Sequence, residues 1–469
     1  MASPAFKTRF APSPTGWIHL GNVRTALFNF LLARARGGVF LLRLEDTDAV
    51  RGHEKYAQAL IEDLRWLGLQ WQEGPEAGGD RGPYRQSQRS SLYRCHFDAL
   101  IERGLAYRCF CSEHELEIAR KTAIAAGRPP RYSGRCRALS PAEAEARLKA
   151  GAPATLRFRV PEGEAIEFED RVRGRQSFRS DDIGDFVIRR SDGTPAFFFS
   201  NAVDDALMGV TLVVRGEDHL TNTPRQILLL QALGLPLPRY AHIALVVGAE
   251  GAPLSKRTGS KPVQELRAEG FLPAAINNYL ARLGHTYESN ALFDLDGLAS
   301  GFAVERLHRA PARFDEQQLR YWQREAIQHE SAEALWEWMQ EAAGARVPEP
   351  ARAAFVEAVR GNVLTPADAR HWAERLFGDD WEPGHAAGAA ARAAGAAFFA
   401  RALAALERHG LDFRAFADEL RRAHDVSGPA LYQPLRAALT GALDGPELAK
   451  LLPLIGVERA RRRLAKWIN

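Results

Sequence analysis

Cysteine and lysine are scarce in this chain, and long apolar runs are missing. Four cysteines in 469 residues are too few for a disulfide framework, which excludes the small secreted scaffolds and points to reduced, intracellular thiols. No stretch approaches the ~18 consecutive apolar residues of a membrane helix. The opening MASPAFKTRFAPSPTG lacks the uninterrupted apolar core of a secretory signal. A cytoplasmic protein with no membrane partner is expected. Net charge is small: 62 Lys and Arg against 58 Asp and Glu leave +4, so the sum permits a polyanionic partner without requiring one, and local patches decide. With 46% hydrophobic and 26% charged residues, a disordered or fibrous chain is excluded. The length suggests about three domains.

Four textures follow one another. Up to about Gln88 the pattern is strand, turn, helix, strand. Phe6–Phe10 is short and partly alternating, Pro12, Pro14 and Gly16 punctuate a loop, Val23–Arg36 has helical spacing, and Val39–Leu42 suits a buried parallel strand. That βαβ unit argues for a doubly wound sheet. From about Ser90 to Asp192 an irregular segment carries all the cysteines and the basic GRPPRYSGRCR, and it reads as an insertion. Strand-like runs return at Ala196–Val203, Thr211–Arg215 and His242–Val247, with a helix from about Pro224 to Leu233, so one parallel sheet split by the insertion is the simplest account. After about Lys261 nearly everything reads helical, most clearly in AAARAAGAAFFARALAALER. The expected boundaries are 1–90, 91–193, 194–250, 251–330 and 331–469.

Two loops carry chemistry. Pro12-Ser13-Pro14-Thr15-Gly16-Trp17-Ile18-His19-Leu20-Gly21-Asn22 lies between a strand and a helix, where backbone N–H groups and the helix dipole favour anions. His19 can donate to a phosphate and Gly21 lets a flat ligand approach. Leu254-Ser255-Lys256-Arg257-Thr258-Gly259-Ser260 puts a lysine on a Ser/Gly loop, in a chain with only eight lysines against 54 arginines. Lysine there is a mobile point charge suited to phosphate. Either loop alone also reads as an ordinary turn.

Together, PSPTGxxHxGN and LSKR resemble the HIGH and KMSKS signatures of class I aminoacyl-tRNA synthetases. RFAPSPTG, RLEDTD, VVRGEDHLTNTPRQ and LSKR resemble the bacterial, discrete glutamyl-tRNA synthetases, from about Thr8 to Asp315. The resemblance implies an α/β fold: a Rossmann-type doubly wound parallel sheet (1–90 and 194–250) split by an α+β acceptor-binding insertion (91–193). A stem-contact domain (251–330) and an all-helical anticodon-binding domain (331–469) would follow. It implies ATP as substrate with Mg²⁺, L-glutamate and tRNA(Glu) as partners, tRNA(Gln) being left open, and a monomer. ATP would meet His19, Gly21, Asp218, Ser255 and Lys256, with His19 and Lys256 catalytic. Glutamate would meet Arg9, Ala11, Ser13, Glu45, Phe197, Asn201 and Arg215. A side-chain carboxylate needs a guanidinium fork, and Arg9 and Arg215 are the candidates. Phe197 stands where the family usually has tyrosine, Pro253 where the lysine signature usually begins with Lys, and Thr258 in place of a frequent His.

Cys109, Cys111 and Cys136 suit tetrahedral zinc, which takes four ligands. The resemblance implies a structural Zn²⁺, but Ala138 occupies the usual histidine position. Tyr132, as in a truncated relative, and His114 are the options for the fourth ligand; three reduced thiols are the alternative. Cys95 is expected in the core. His219 is expected to orient the loop near the nucleotide, and His242 and His285 to be ordinary core or surface histidines. The Arg459–Arg463 run reads as a solvated helix face with possible phosphate contact, and Arg360 is a guess for anticodon reading. The truncated relative lacks this helical half, glutaminyl enzymes end in β-barrels, and a non-catalytic paralogue would have lost His19 or Lys256.

Overall fold

Lys7–Phe10 forms β1, and all four of its residues are buried although three are polar. A strand covered on both faces tolerates this only because each polar group has a partner. Lys7 Nζ donates to Glu73 Oε1 (2.6 Å) and Met208 O (3.0 Å), and Thr8 Oγ1 donates to Asn29 O (2.7 Å). Helix α1 (Leu20–Ala35) buries 11 of its 16 residues, the mark of a helix enclosed on all sides. Gly37 at φ 57° turns the chain into β2 (Val39–Leu42), whose four residues pair in parallel with those of β1. α2 (Glu54–Trp66) packs Ala57, Leu60, Ile61 and Leu64 inward at helical spacing. The computed structural model describes residues 5–47, 54–127, 130–254, 261–378, 382–424 and 427–468.

The next stretch runs through α3 (Ser90–Glu102), β3 (Ala106–Cys109), α4 (Glu113–Ala125), α5 (Pro141–Lys149), β4 (Thr155–Phe158), β5 (Ala165–Asp170), β6 (Gly174–Arg179), the one-turn α6 (Ser180–Ile183) and β7 (Phe186–Arg189). Ser112 with Glu115 and Ser140 with Glu143 form capping boxes that start α4 and α5. β3, β4 and β7 make an antiparallel sheet, whereas the β5–β6 hairpin reaches away from it.

Phe197–Leu207 then forms helix α7. The strand expected over Ala196–Val203 is therefore the start of a helix. A short apolar run carries too little periodicity to separate the two, and what decides here is a buried polar set, Asn201, Asp204 and Asp205, at helical spacing. β8 (Leu212–Gly216), α8 (Thr223–Leu233) and β9 (Arg239–Ile243) complete a second parallel pair. β8 lies beside β1: Thr211 N donates to Lys7 O (2.9 Å), and the Arg9 and Asn29 side chains donate to Val214 O (3.3 and 3.1 Å). On the far side of β9, Asp170 at the end of β5 pairs with Tyr240. With β2 on one side of β1 and β8 on the other, the crevice at their carboxyl ends is where a doubly wound sheet accepts ligand. Short strands β10 (Val246–Val247) and β11 (Ala312–Arg313) pair in parallel just beyond.

All of this belongs to one compact unit, Met1–Gln264 with Asn277–Asp315; the other comprises Glu265–Ile276 and Glu316–Asn469. Within the second unit Gly270 O accepts from Gln323 Nε2 (3.0 Å) and Trp338 Nε1 (2.8 Å). From Glu316 onward the described elements are helical, around a core that includes Leu335, Phe355, Phe399, Phe416, Leu431 and Leu451. The Ala-rich run makes two helices, His385–Ala394 and Ala396–His409, meeting at an 87° bend where Gly395 has φ 79°. Among the described residues no single helix is long and apolar enough to cross a membrane.

The α1–β2 turn yields a test. A Cβ on Gly38 would fall against the Phe6 carbonyl, which accepts the Val39 N–H that starts the β1–β2 ladder, whereas a Cβ on Gly37 meets nothing. Gly38→Ala is expected to destabilise the protein by about 1–3 kcal/mol through overpacking. Gly37→Ala should cost about 1–2 kcal/mol, from left-handed strain alone. Denaturant unfolding of both checks the ranking.

Candidate active site

At the carboxyl ends of β1 and β8 lies a cavity of about 590 Å³. Arg9, Ala11, Ser13, His19, Gly21, Glu45, Phe197, Asn201, Arg215 and Asp218 all line it. Every described residue singled out from the motifs for ATP or glutamate is thus in one place. Ser255 and Lys256, with Thr258, lie outside the described residues. The chain on either side of them is anchored at the cavity: Pro253 and Leu254 line it, Leu254 N donates to Val246 O (2.8 Å), and Pro262 bridges to His19. His19 caps α1 from extended backbone, so the positive end of that helix and the His19 ring share the cavity wall.

The floor is a buried charge network. Arg9 Nε donates to Asp205 Oδ1 and Oδ2 (3.1 and 3.3 Å), and Arg43 Nη1 donates to the same Oδ1 (2.7 Å). Burial alone would push the Asp205 carboxyl up, but Arg9 and Arg43 hold it below the usual carboxylate range. Arg43 Nη2 (3.0 Å) and Asn201 Nδ2 (2.7 Å) both donate to Glu45 Oε1. There burial wins and the Glu45 carboxyl is pushed up, against the pull of Arg43.

Arg215 is held differently. Its Nη2 donates to Thr223 Oγ1 (2.8 Å) and Gln226 Oε1 (2.7 Å), and its Nε donates to His242 Nε2 (3.2 Å). All three acceptors are neutral, and the buried Nη1 has no protein partner. Burial and the neighbouring Arg9 lower the guanidinium to about 10, still cationic near neutrality. A buried guanidinium with an unused donor beside a cavity is built to meet an anion from outside. Gln226 Nε2 passes the chain on to Asn201 Oδ1 (2.9 Å), so one line of hydrogen bonds runs from Arg215 to Glu45.

At the rim Asp218 is exposed, and Gly216 makes room for it, since a Cβ there would overlap the Asp218 carboxylate. Phe197 is half-buried with its ring 5.4 Å from that of His219. Burial and Arg215 lower His219 to about 4, leaving it neutral. Sequence reasoning missed the supports: Asp205 under Arg9, Gln226 and Thr223 under Arg215, and Asp170, whose Oδ2 is 2.6 Å from His242 Nδ1. His242, read as an ordinary histidine, is fully buried within that set. The spacing Asn201–Asp204–Asp205 would have flagged part of it had the run been read as helix.

A second cluster lies at the end of β3. The sulfurs of Cys109, Cys111 and Cys136 fall within 4.8 Å of one another, Cys111 and Cys136 at 3.6 Å. That is close to the edge of a sulfur tetrahedron around zinc, roughly 3.8 Å for ~2.3 Å bonds. The Tyr132 hydroxyl is 3.4 and 3.5 Å from Cys109 and Cys111 and accepts from Cys136 N (2.9 Å), so it faces the same centre. Arg157 stacks on the Tyr132 ring at 3.8 Å. Burial disfavours thiolate, but Tyr132 and Arg157 hold the Cys109 thiol down to about 7. His114 is exposed on the first turn of α4, outside the cluster. Cys95, expected in the core, is exposed instead, because α3 buries Tyr93, Phe97 and Leu100 on its other face.

Comparison with known proteins agrees with this geometry. The catalytic domain of tRNA synthetases class I (E and Q) matches residues 5–321, and an anticodon binding domain matches residues 330–468. A glutamate–tRNA ligase of Nitrosococcus oceani is 59% identical over 469 residues, 100% of this chain and 99% of that protein. One from Methylococcus capsulatus is 53% identical, covering 99% of this chain and 98% of its own. A solved glutamate tRNA ligase from Elizabethkingia meningosepticum, in complex with its amino acid, superposes with a TM-score of 0.89 at 29% identity over 99% of both chains. With a catalytic and an anticodon-binding match that together span nearly its whole length, the chain belongs to the class I (E and Q) tRNA synthetases.

Proposed function

We infer that this chain is a glutamate–tRNA ligase. The carboxylate of L-glutamate attacks the α-phosphorus of ATP, pyrophosphate leaves, and a ribose hydroxyl of the 3′-terminal adenosine of tRNA(Glu) then takes the glutamyl group and releases AMP. The observation that carries the reading is the buried, unspent Nη1 of Arg215 facing a cavity shared with Arg9 and Glu45. Arg215 and Arg9 recognise the side-chain carboxylate, Glu45 takes the ammonium, and Ala11, Ser13, Phe197 and Asn201 shape the remaining wall. His19 and Gly21 cradle the ATP phosphates, through which Mg²⁺ would be held, Asp218 lies near the nucleotide, and Ser255 and Lys256 are assigned to the nucleotide as well. Catalysis here is chiefly positioning and electrostatic stabilisation of an in-line displacement. Charging purified glutamate and glutamine tRNAs side by side tests the reading: glutamylation of tRNA(Glu) is expected, its absence overturns the assignment, and the second arm reports whether tRNA(Gln) is also accepted.

Zinc belongs to the same proposal as a structural ion. Cys109, Cys111, Cys136 and Tyr132 would hold it and so pin β3 to the Tyr132–Cys136 loop, a role remote from the reaction. Elemental analysis of protein purified without added metal should find about one zinc per chain. Tyr132→Phe should weaken retention against a chelator if the phenol oxygen is a ligand, and leave it unchanged if it is not.

Two substitutions test the division of labour in the cavity. Lys256→Ala should slow adenylate formation by a factor on the order of 10² to 10³, as for loss of one transition-state donor, without altering thermal unfolding; wild-type rates would sink that assignment. Arg215→Ala should raise the glutamate KM far more than the ATP KM, since stripping one partner from a buried charge pair costs about 2–5 kcal/mol. Steady-state charging assays at varied glutamate and varied ATP separate the two effects.

A further inference from the structure

Arg215 is aimed by groups that do not line the cavity. An arginine Nε–H is only ever a donor, so the His242 Nε2 that lies 3.2 Å from it must be the acceptor, and the imidazole proton must sit on Nδ1. That proton faces Asp170 Oδ2 at 2.6 Å. Asp170 is fixed in turn: its Oδ1 accepts from the amides of Val172 (2.9 Å), Arg173 (2.7 Å) and His242 (3.2 Å). We propose that His242 and Asp170 are positioning residues that fix Arg215 for the side-chain carboxylate of the amino-acid substrate, by locking the imidazole in the tautomer whose Nε2 accepts.

The interposed ring does more than fill space. A carboxylate bonded directly to Arg215 would cancel its charge, as Asp205 does in part for Arg9. A neutral imidazole transmits the orientation of Asp170 and keeps the carboxylate one group away, so the guanidinium retains its charge for an incoming anion. The arrangement favours an amino acid with an ionised side chain over its neutral amide, which brings no charge to meet that of Arg215.

The inference rests on the proposed glutamate–tRNA ligase activity, and Asp170→Asn tests it in the full chain. The asparagine oxygen can keep all three backbone bonds. Its NH₂ would donate to Nδ1, drive the proton to Nε2 and set two N–H groups against each other at Arg215. In tRNA charging the glutamate KM is expected to rise about ten- to a hundredfold, the size of one lost hydrogen bond to a charged group. The ATP KM should stay within about twofold, which a general packing defect would not leave in place. The ring ¹⁵N signals of His242 should show the proton moved from Nδ1 to Nε2. His242→Gln, whose amide oxygen can still accept, should lose less glutamate affinity than His242→Leu. A glutamate KM unchanged in Asp170→Asn, or one that rises in step with the ATP KM, overturns the inference while a wild type that charges tRNA(Glu) leaves the functional reading intact. A wild type that does not charge removes both.

Discussion

Asp204 and Asp205, adjacent on α7 and both buried, are the charges on which the catalytic unit depends. Asp205 joins Arg9 of β1 to Arg43 after β2. Asp204 accepts from Arg89 Nε (2.7 Å), Tyr93 OH (2.8 Å) and Gln86 Nε2 (2.8 Å). Desolvating each of these ions costs several kcal/mol, and the cost is offset because each carboxylate oxygen has a donor. The same contacts tie the first strands, the entry to the insertion and the helix that follows it into one frame. Arg9, Glu45 and Asn201 inherit their positions from it.

The composition makes sense in that light. Arginine outnumbers lysine nearly sevenfold, 54 to eight, and the buried cations include Arg9, Arg24, Arg43, Arg89 and Arg215. A planar fork can satisfy two or three acceptors at fixed angles and is weakly hydrated, so it suits a dry interior better than an ammonium does. Arg24 uses two carbonyls, Leu283 O (3.0 Å) and Ala244 O. The arginines that brace this unit are therefore structural joints as much as charges.

What could be read from sequence follows the range of the interactions. Val39–Leu42 and the helix from about Pro224 to Leu233 were legible because turn signals and apolar spacing are local. The cavity residues were legible through motif resemblance, which carries positions without explaining them. Ala196–Val203 was misread because its helical character rests on partners elsewhere: Asn201 needs Glu45, and Asp204 needs Arg89. His242 was passed over for the same reason, since nothing near it in the chain announces Asp170 across 72 positions. The pairing of β5 with β9 is likewise a tertiary fact with no local signature.

The separation of β1 from β8 has a consequence for biogenesis. Lys7 meets Thr211 across 204 positions, and at ~5–20 residues per second a ribosome needs roughly 10–40 s to make the intervening chain. For that interval the side of β1 that will receive β8 has no neighbour, and an open strand invites pairing with other nascent chains. β1 carries Arg9, whose acceptors Asp205 and Val214 are among the last of the frame to be synthesised. An unpaired cation on an open edge discourages intermolecular association. The side chain that later binds the site together thus guards the strand while it waits.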